Sequence, residues 1–428
     1  MSRLSKALRT RVPRSSFGTW SPAPERRDPI DILREQERSR IPALLPILHG
    51  RMLESPYSFY RGNAAIMAAD LARVTTTGLR VQLCGDAHLS NFGGYMTAEG
   101  RLIFDVNDFD ETLPGPWEWD LMRLCGSIPV ACSSHRFAKS TAEAAIEAAS
   151  RAYCEGMRRY ARMAPLDIWY ARIDAKRLLR SEITMAASAE RLLPKLASED
   201  GHGLRFVDKP PLFRGLDDAD TNVVIAHGVL RTYRLSLPVH VRELLDRYHL
   251  VDLAMKIVGV GSVGTLCLVA LFLADEDQPL LLQLKEAQTS VYEAHLPKSA
   301  FENHGERIAV GQRLMQAASD LFLGWTNDGG RDYYVRQLRD MKASVDLDAI
   351  TPEHLIEYAA QCGSALARGH ARTGEPAAIA EYLGSGKKLV EAMVRFAFAY
   401  AEQVEHDYSA FLQAMKTGAL SSLSPREQ

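Results

Sequence analysis

Residues 83–91 read Leu-Cys-Gly-Asp-Ala-His-Leu-Ser-Asn, and residues 104–111 read Phe-Asp-Val-Asn-Asp-Phe-Asp-Glu. The first stretch leaves a short apolar strand, 81–84, and enters a loop carrying Asp86, His88 and Asn91. The second continues a strand at 101–106 and ends in Asp108-Phe109. Two carboxylates and an amide brought together at strand ends are hard oxygen ligands. They suit Mg²⁺ carrying a nucleotide and do not suit a zinc site.

A third piece follows at once, Gly115-Pro-Trp-Glu-Trp-Asp120-Leu121. In this order the three pieces resemble aminoglycoside phosphotransferases and related small-molecule kinases. Those have a Gly-Asp-x-His-x-x-Asn loop, an Ile-Asp-Phe-type strand and a later Gly-x-x-x-x-Asp-Leu. The wider chain also resembles an uncharacterised bacterial family catalogued as a domain of unknown function, which by itself supplies no activity. The kinase resemblance implies that Asp86 is the catalytic base, or orients the acceptor hydroxyl. It implies that Asn91 and Asp108 hold Mg²⁺ and that Asp120 anchors the loop backbone. His88 fits the loop pattern in a structural role. Asp105 and Asp110 flank Asp108 and stand as alternative ligands.

The nucleotide-binding half is expected far downstream. Val258-Gly-Val-Gly-Ser-Val-Gly-Thr265 reads as a glycine-rich phosphate loop, with Gly259, Gly261 and Gly264 letting backbone amides approach phosphates. Leu281-Leu-Gln-Leu-Lys285 resembles the strand that presents the phosphate-binding lysine of a kinase. Glu306 on the next helix is the expected partner of Lys285, with Gln312 as the alternative. In ordinary kinases these elements precede the catalytic loop. Here they follow it, so the resemblance implies a circular permutation. Residues 364–374, Ser-Ala-Leu-Ala-Arg-Gly-His-Ala-Arg-Thr-Gly, resemble the helix that leads into the catalytic loop, and they stand near the other end of the chain. Chain ends often lie close together, so the rearrangement is physically permissible.

The expected fold is therefore α+β, a two-lobed protein kinase-like fold with circularly permuted element order. Residues 1–48 form an N-terminal basic arm and helix. Residues 49–245 form a helical large lobe with the catalytic and metal-binding loops. Residues 246–345 form a small β-rich nucleotide-binding lobe, and 346–428 supply C-terminal helices that complete the large lobe. The activity implied is Mg²⁺- and ATP-dependent phosphoryl transfer to an unknown acceptor, by preference a small-molecule hydroxyl; nucleotidyl transfer uses similar groups.

Two rivals stand beside this reading. The same glycine loop matches an NAD(P)-binding fingerprint of Rossmann type, which requires a helix over 265–274. That run is apolar enough for a helix or a strand; the turn-like 275–279 segment favours a strand. The second rival is a non-catalytic kinase-like scaffold, although the expected polar residues are all present.

Composition narrows the classes. The formal net charge of −2 offers no field for nucleic acid. The longest apolar run, near 263–274, is too short to span a bilayer. The six cysteines form no CxxC pair and fit reduced thiols in a cytoplasmic protein. The first fourteen residues carry five basic residues and no acid, without the apolar core of a secretory signal, and read as a disordered basic arm. A helix broken or kinked by Pro42 and Pro46 is expected over 28–50. Helix-rich structure is expected over 117–195, a long loop over 198–222, and amphipathic helices over 352–373 and 386–416.

Overall fold

The apolar run ending at Ala274 decides how the second half folds. The computed structural model describes residues 3–175, 183–185, 196–200, 203–217, 219–274, 278–338 and 343–420. In it Cys267–Ala274 is a strand, buried at every position but its last. It pairs antiparallel with His249–Lys256 on one side and Gln278–Ala287 on the other. Among the described residues this sheet has six strands. Their order is Gly324–Asp328, Arg331–Gln337, Gln278–Ala287, Cys267–Ala274, His249–Lys256 and Phe213–Gly215, with every pairing antiparallel. A dinucleotide fingerprint needs a helix directly after its glycines and a parallel sheet. Among the described residues neither is present, so Gly259–Gly264 does not have the form that the Rossmann-type reading requires. The physical reason is that a central strand buried on both faces is apolar at every position, as this run is.

Period-two alternation divides the sheet into two faces. Leu268, Ala270, Leu282, Leu284 and Val335 pack under the helices Thr221–Tyr233 and Val239–Leu245, against Ala226, Val229, Tyr233 and Val241. The opposite face receives Gln283 and Lys285 from one strand and Arg336 and Tyr334 directly across from them.

Two further strand pairings place the motifs of the first half. Arg80–Leu83 pairs with Leu113–Pro116, and Phe92–Met96 pairs with Leu102–Val106. Leu83 lies opposite Leu113, and Phe92 lies opposite Val106. Residues 84–91 and 107–112 are therefore two loops joining the same two strand pairs, and they must run side by side. Below them the helices Trp117–Ser134, Lys139–Tyr160, Pro352–Thr373 and Lys387–Lys416 enclose the main apolar core. The architecture is mixed α+β with several small sheets.

Two expectations change, on the N-terminal arm and on the 198–222 loop, and the expected break in the 28–50 helix is present. The N-terminal arm is not disordered: Arg3–Arg11 is a helix, and Leu8 and Val12 are buried. Arg9 Nε donates to Tyr382 O at 2.9 Å, and Arg14 Nη1 donates to Leu383 O at 2.7 Å. Basic side chains there meet carbonyls at the end of the Pro376–Leu383 helix, where the dipole favours positive charge. The helix expected over 28–50 is divided into Pro29–Glu37 and Leu45–Met52, with a 3₁₀ turn at Pro42–Leu44 between them. The expected long loop over 198–222 contains a hairpin, Ala197–Asp200 with Gly203–Phe206, and the edge strand Phe213–Gly215. Parts of the helix-rich 117–195 stretch, 176–182 and 186–195, lie outside the described residues. All six cysteines are buried and unbridged. Among the described residues no helix is long and apolar enough to cross a membrane.

Candidate functional site

The loop at Asp86 is built on a buried carboxylate. Asp120, in the first turn of its helix, accepts the Cys84 amide at 2.8 Å through Oδ2 and the Gly85 amide at 3.1 Å through Oδ1. His370 Nε2 approaches Asp120 Oδ2 at 3.1 Å, and the His370 Nδ1 lies 3.0 Å from the Tyr153 hydroxyl. A carboxylate accepts, so the Nε2 that faces Asp120 carries a proton. His370 is fully buried, not the dipole-facing surface residue its place near a helix end suggests. One turn further on, Thr373 Oγ1 accepts the Gln82 amide at 3.0 Å. The end of the Pro352–Thr373 helix thus lies against the strand that leads into Asp86.

The two loops are joined at their tips. Asn91 Nδ2 donates to Asp86 O at 2.7 Å, and the Asn107 amide donates to Asn91 O at 2.9 Å. Because the Asn91 amide nitrogen serves a carbonyl, its oxygen is the atom left for a ligand. Asp86 Oδ1 accepts Arg123 Nε at 2.8 Å, and His88 Nε2 stands 3.5 Å from Asp86 Oδ2. Burial raises the Asp86 carboxyl pKa, and Arg123 opposes that rise. Burial, with Arg61 and Arg123 nearby, keeps His88 neutral.

The three neighbouring acids separate sharply. Asp105 is 1% exposed and lies in the core, with both oxygens 2.6 Å from Arg368 Nη2. It does not reach the cavity. Asp108 does, and makes no ion pair among the described residues; its Oδ1 accepts the Asp110 amide at 3.2 Å. Burial and the neighbouring Asp110 raise its pKa. Asp110 forms an ion pair with Lys285 and accepts from the Tyr334 hydroxyl at 2.8 Å. Burial alone would raise Asp110, but Lys285 and Tyr334 outweigh it and bring the carboxyl to about 2.

Lys285 is 2% exposed, and its Nζ also donates to Ser262 Oγ at 2.7 Å. Its partner is therefore Asp110, and the expected pairing with Glu306 is corrected. Glu306 begins the His304–Met315 helix, where Asn303 caps its amide at 2.9 Å. Gln312 bonds Gln316 instead. The helix reaches the site through Arg307, whose guanidinium donates to the carbonyls of Asp110 at 2.9 Å and Thr112 at 2.7 Å.

The glycines form the turn between His249–Lys256 and Cys267–Ala274. Gly259 and Gly264 have φ of 62° and 98°, a region that favours glycine. Arg40 holds the turn from outside through Gly261 O at 2.8 Å and also reaches Val263 O, while Arg51 bonds Gly259 O. Asp86, Asn91, Asp108, Gly259 and Gly261 line one cavity of about 80 Å³, joined by Arg61, Glu111 and Ser262. Asp110, Glu111, Gly261 and Ser262 also line an adjoining cavity of about 650 Å³. Glu111 belongs to both, and burial pushes its carboxyl up to about 7.

Sequence reasoning missed Arg123, Ser262 and Glu111, and gave Asp110 no cationic partner. For Arg123 a signal exists: it stands three residues after Asp120 on one helix face, so a residue anchoring the loop predicts a neighbour that also reaches it.

No curated protein and no solved structure matches the chain. The chain belongs to the bacterial family described as "Uncharacterized protein conserved in bacteria (DUF2252)", whose profile matches residues 40–414.

Proposed function

We propose that the chain is a Mg²⁺- and ATP-dependent phosphotransferase of the kinase-like type, with its nucleotide-binding and catalytic segments in permuted order, acting on a small-molecule hydroxyl. One observation carries this reading. Lys285 forms an ion pair with Asp110, 175 residues away in sequence, and Asp110 lines a cavity together with Asp86, Asn91, Asp108 and the glycine turn. The packing of the His370 helix end against the strand before Asp86 supports the permuted order.

Each group has a role under this proposal. The donor set fits Mg²⁺: Asn91 offers an amide oxygen, and Asp108 offers a half-buried carboxylate that makes no ion pair among the described residues. Among the described residues no three His, Cys, Asp or Glu side chains gather as a metal cluster, which leaves the other ligand positions to phosphate and water. The ion supplies neutralisation of phosphate charge. Lys285 exchanges Asp110 for a phosphate oxygen, and the turn carrying Ser262 covers the phosphates. Among the described residues the amides of Gly261 and Ser262 have no intramolecular acceptor, as a phosphate-binding turn requires. Asp86 takes the proton of the acceptor hydroxyl. This chemistry is positioning and charge neutralisation, which these residues supply. The smaller cavity is below the usual 300–1,000 Å³ range of ligand sites, so the nucleotide extends beyond it or the turn lifts on binding.

The test is ligand-induced stabilisation. ATP with Mg²⁺ raises the melting temperature of the wild type and of Asp86→Asn, while NAD does not. Asp108→Asn loses the Mg²⁺-dependent part. Equal stabilisation by ATP with and without metal, or none, refutes the proposal.

A further inference from the structure

We infer that Arg123 is a positioning residue for Asp86: it fixes Oδ1 and leaves Oδ2 to face the cavity as the proton-accepting atom. The inference rests on the phosphotransferase reading for the catalytic role of Asp86, but the contact itself does not.

The geometry is specific. Arg123 is 1% exposed, and its three nitrogens are spent on three different segments. Nε donates to Asp86 Oδ1 at 2.8 Å, Nη2 donates to Tyr60 O at 2.8 Å, and Nη1 lies 3.6 Å from Met67 Sδ. The guanidinium carbon sits 3.8 Å from the centre of the Tyr60 ring. A planar guanidinium held at three corners and by a ring face has one orientation, which a lysine ammonium would not reproduce. Arg123 lines neither cavity, so it touches neither nucleotide nor acceptor there. It acts through Asp86.

Its electrostatic effect opposes burial. Arg123 lies against the one carboxylate oxygen it bonds and favours the ionised form of Asp86, against the burial that disfavours it. The other charged groups facing Asp86 are Arg61 from the Pro56–Gly62 helix, Asp120 beneath the loop, and Glu111, Asp108 and Asp110 around the cavity. His88 is held neutral. Tyr57, Tyr60, Tyr292 and Cys84 are kept protonated by burial. Arg40 also lines the cavity; of the cations, Arg123 and Arg61 act most on Asp86, and among the described residues Arg123 alone is hydrogen-bonded to it.

The experiment compares the full-length wild type, Arg123→Gln and Arg123→Lys by two readouts. The first is the pH dependence of kcat for Mg-ATP turnover, repeated in a Glu111→Gln background because Glu111 lines the same cavity with its carboxyl pushed up to about 7. The second is the ¹³C carboxyl titration of Asp86, assigned by its loss in Asp86→Asn, which needs no turnover. Arg123→Gln moves both the acid limb and the Asp86 titration upward by about one pH unit or more. On the acid limb this lowers kcat roughly tenfold, with KM for ATP unchanged. Arg123→Lys restores part of the shift, and it decides the question if the Gln variant fails to fold. An Asp86 titration unchanged in both variants overturns the inference. So does a rise in KM with kcat and the limb unmoved. A wild type without turnover defeats the phosphotransferase reading, and the titration still decides whether Arg123 holds Asp86 ionised.

Discussion

Replacing Asp105 with alanine tests the division of labour among three acids that lie within six residues. Arg368 is fully buried, and both Asp105 oxygens face its Nη2 at 2.6 Å. Asp105 also accepts the Ala317 amide at 2.9 Å. After Asp105→Ala the guanidinium keeps one described acceptor, the Met315 carbonyl at 2.6 Å. Breaking a buried pair by removing one partner costs about 3–5 kcal/mol, because a charge is left buried without compensation. Set against a total stability of about 5–15 kcal/mol, that loss is large. Asp108→Asn behaves in the opposite way. The Asp108 pKa is raised by burial first and by Asp110 second, so folding disfavours its ionised form. Above the unfolded carboxyl pKa this group costs stability, and the neutral amide removes the cost. Urea unfolding at pH 7 without Mg²⁺, followed by circular dichroism, gives a midpoint far below wild type for Asp105→Ala and one equal to or above it for Asp108→Asn. A loss below about 1 kcal/mol for Asp105→Ala, or an Asp108→Asn variant destabilised as much as Asp105→Ala, refutes the assignment of structure to one acid and ligand binding to the other.

Glu118 gives a pH prediction. It accepts the Thr77 amide at 2.8 Å and the Thr77 hydroxyl at 2.7 Å, and burial pushes its carboxyl up to about 7. A raised acid binds its proton more tightly when folded, so its contribution falls as pH rises from the unfolded value to about 7. Glu118→Gln therefore gains stability relative to wild type at pH 8 compared with pH 5; an equal difference at both pH values contradicts this. Gly85 has φ of 94°, and a Cβ there would stand 2.4 Å from Glu111 O. Gly85→Ala forces the Asp86 loop away from residue 111, costs more than about 1 kcal/mol, and abolishes turnover; calorimetry and a turnover assay read both effects. Lys285→Met leaves Asp110 without its cation, so the pKa of that carboxyl rises from about 2 and ATP no longer stabilises the protein against heat.

What the sequence made legible was local. The Asp86 and Asp108 segments are paired in the sequence by their resemblance to the phosphotransferase motifs, and each reads as a short polar loop leaving an apolar strand. The strand ending near Lys285 was readable from its apolar run. The partner of Lys285 was not. The helix that follows the strand points to Glu306, whereas the carboxylate that reaches Lys285 comes from a loop 175 residues upstream. No periodicity carries a pairing of that kind. The same holds for the N-terminal helix. Its arginines bind carbonyls at the end of the Pro376–Leu383 helix, an anchor made of backbone that leaves no trace in composition. His370 was placed correctly on its helix, but its burial against Asp120 depends on two segments 250 residues apart.

The central claim is tested most directly by following both ends of the nucleotide. Full-length protein is incubated with Mg²⁺ and ATP labelled either at the γ- or at the α-phosphate, and the fate of each label is compared in wild type, Asp86→Asn and Lys285→Met. The account predicts that wild type moves the γ-label to water or to a hydroxyl acceptor only with Mg²⁺, and leaves the α-label on ADP. Both variants lose this activity, while Asp86→Asn still binds the nucleotide. Release of the γ-label at the same rate in wild type and Asp86→Asn, or transfer of the α-label instead, contradicts the account.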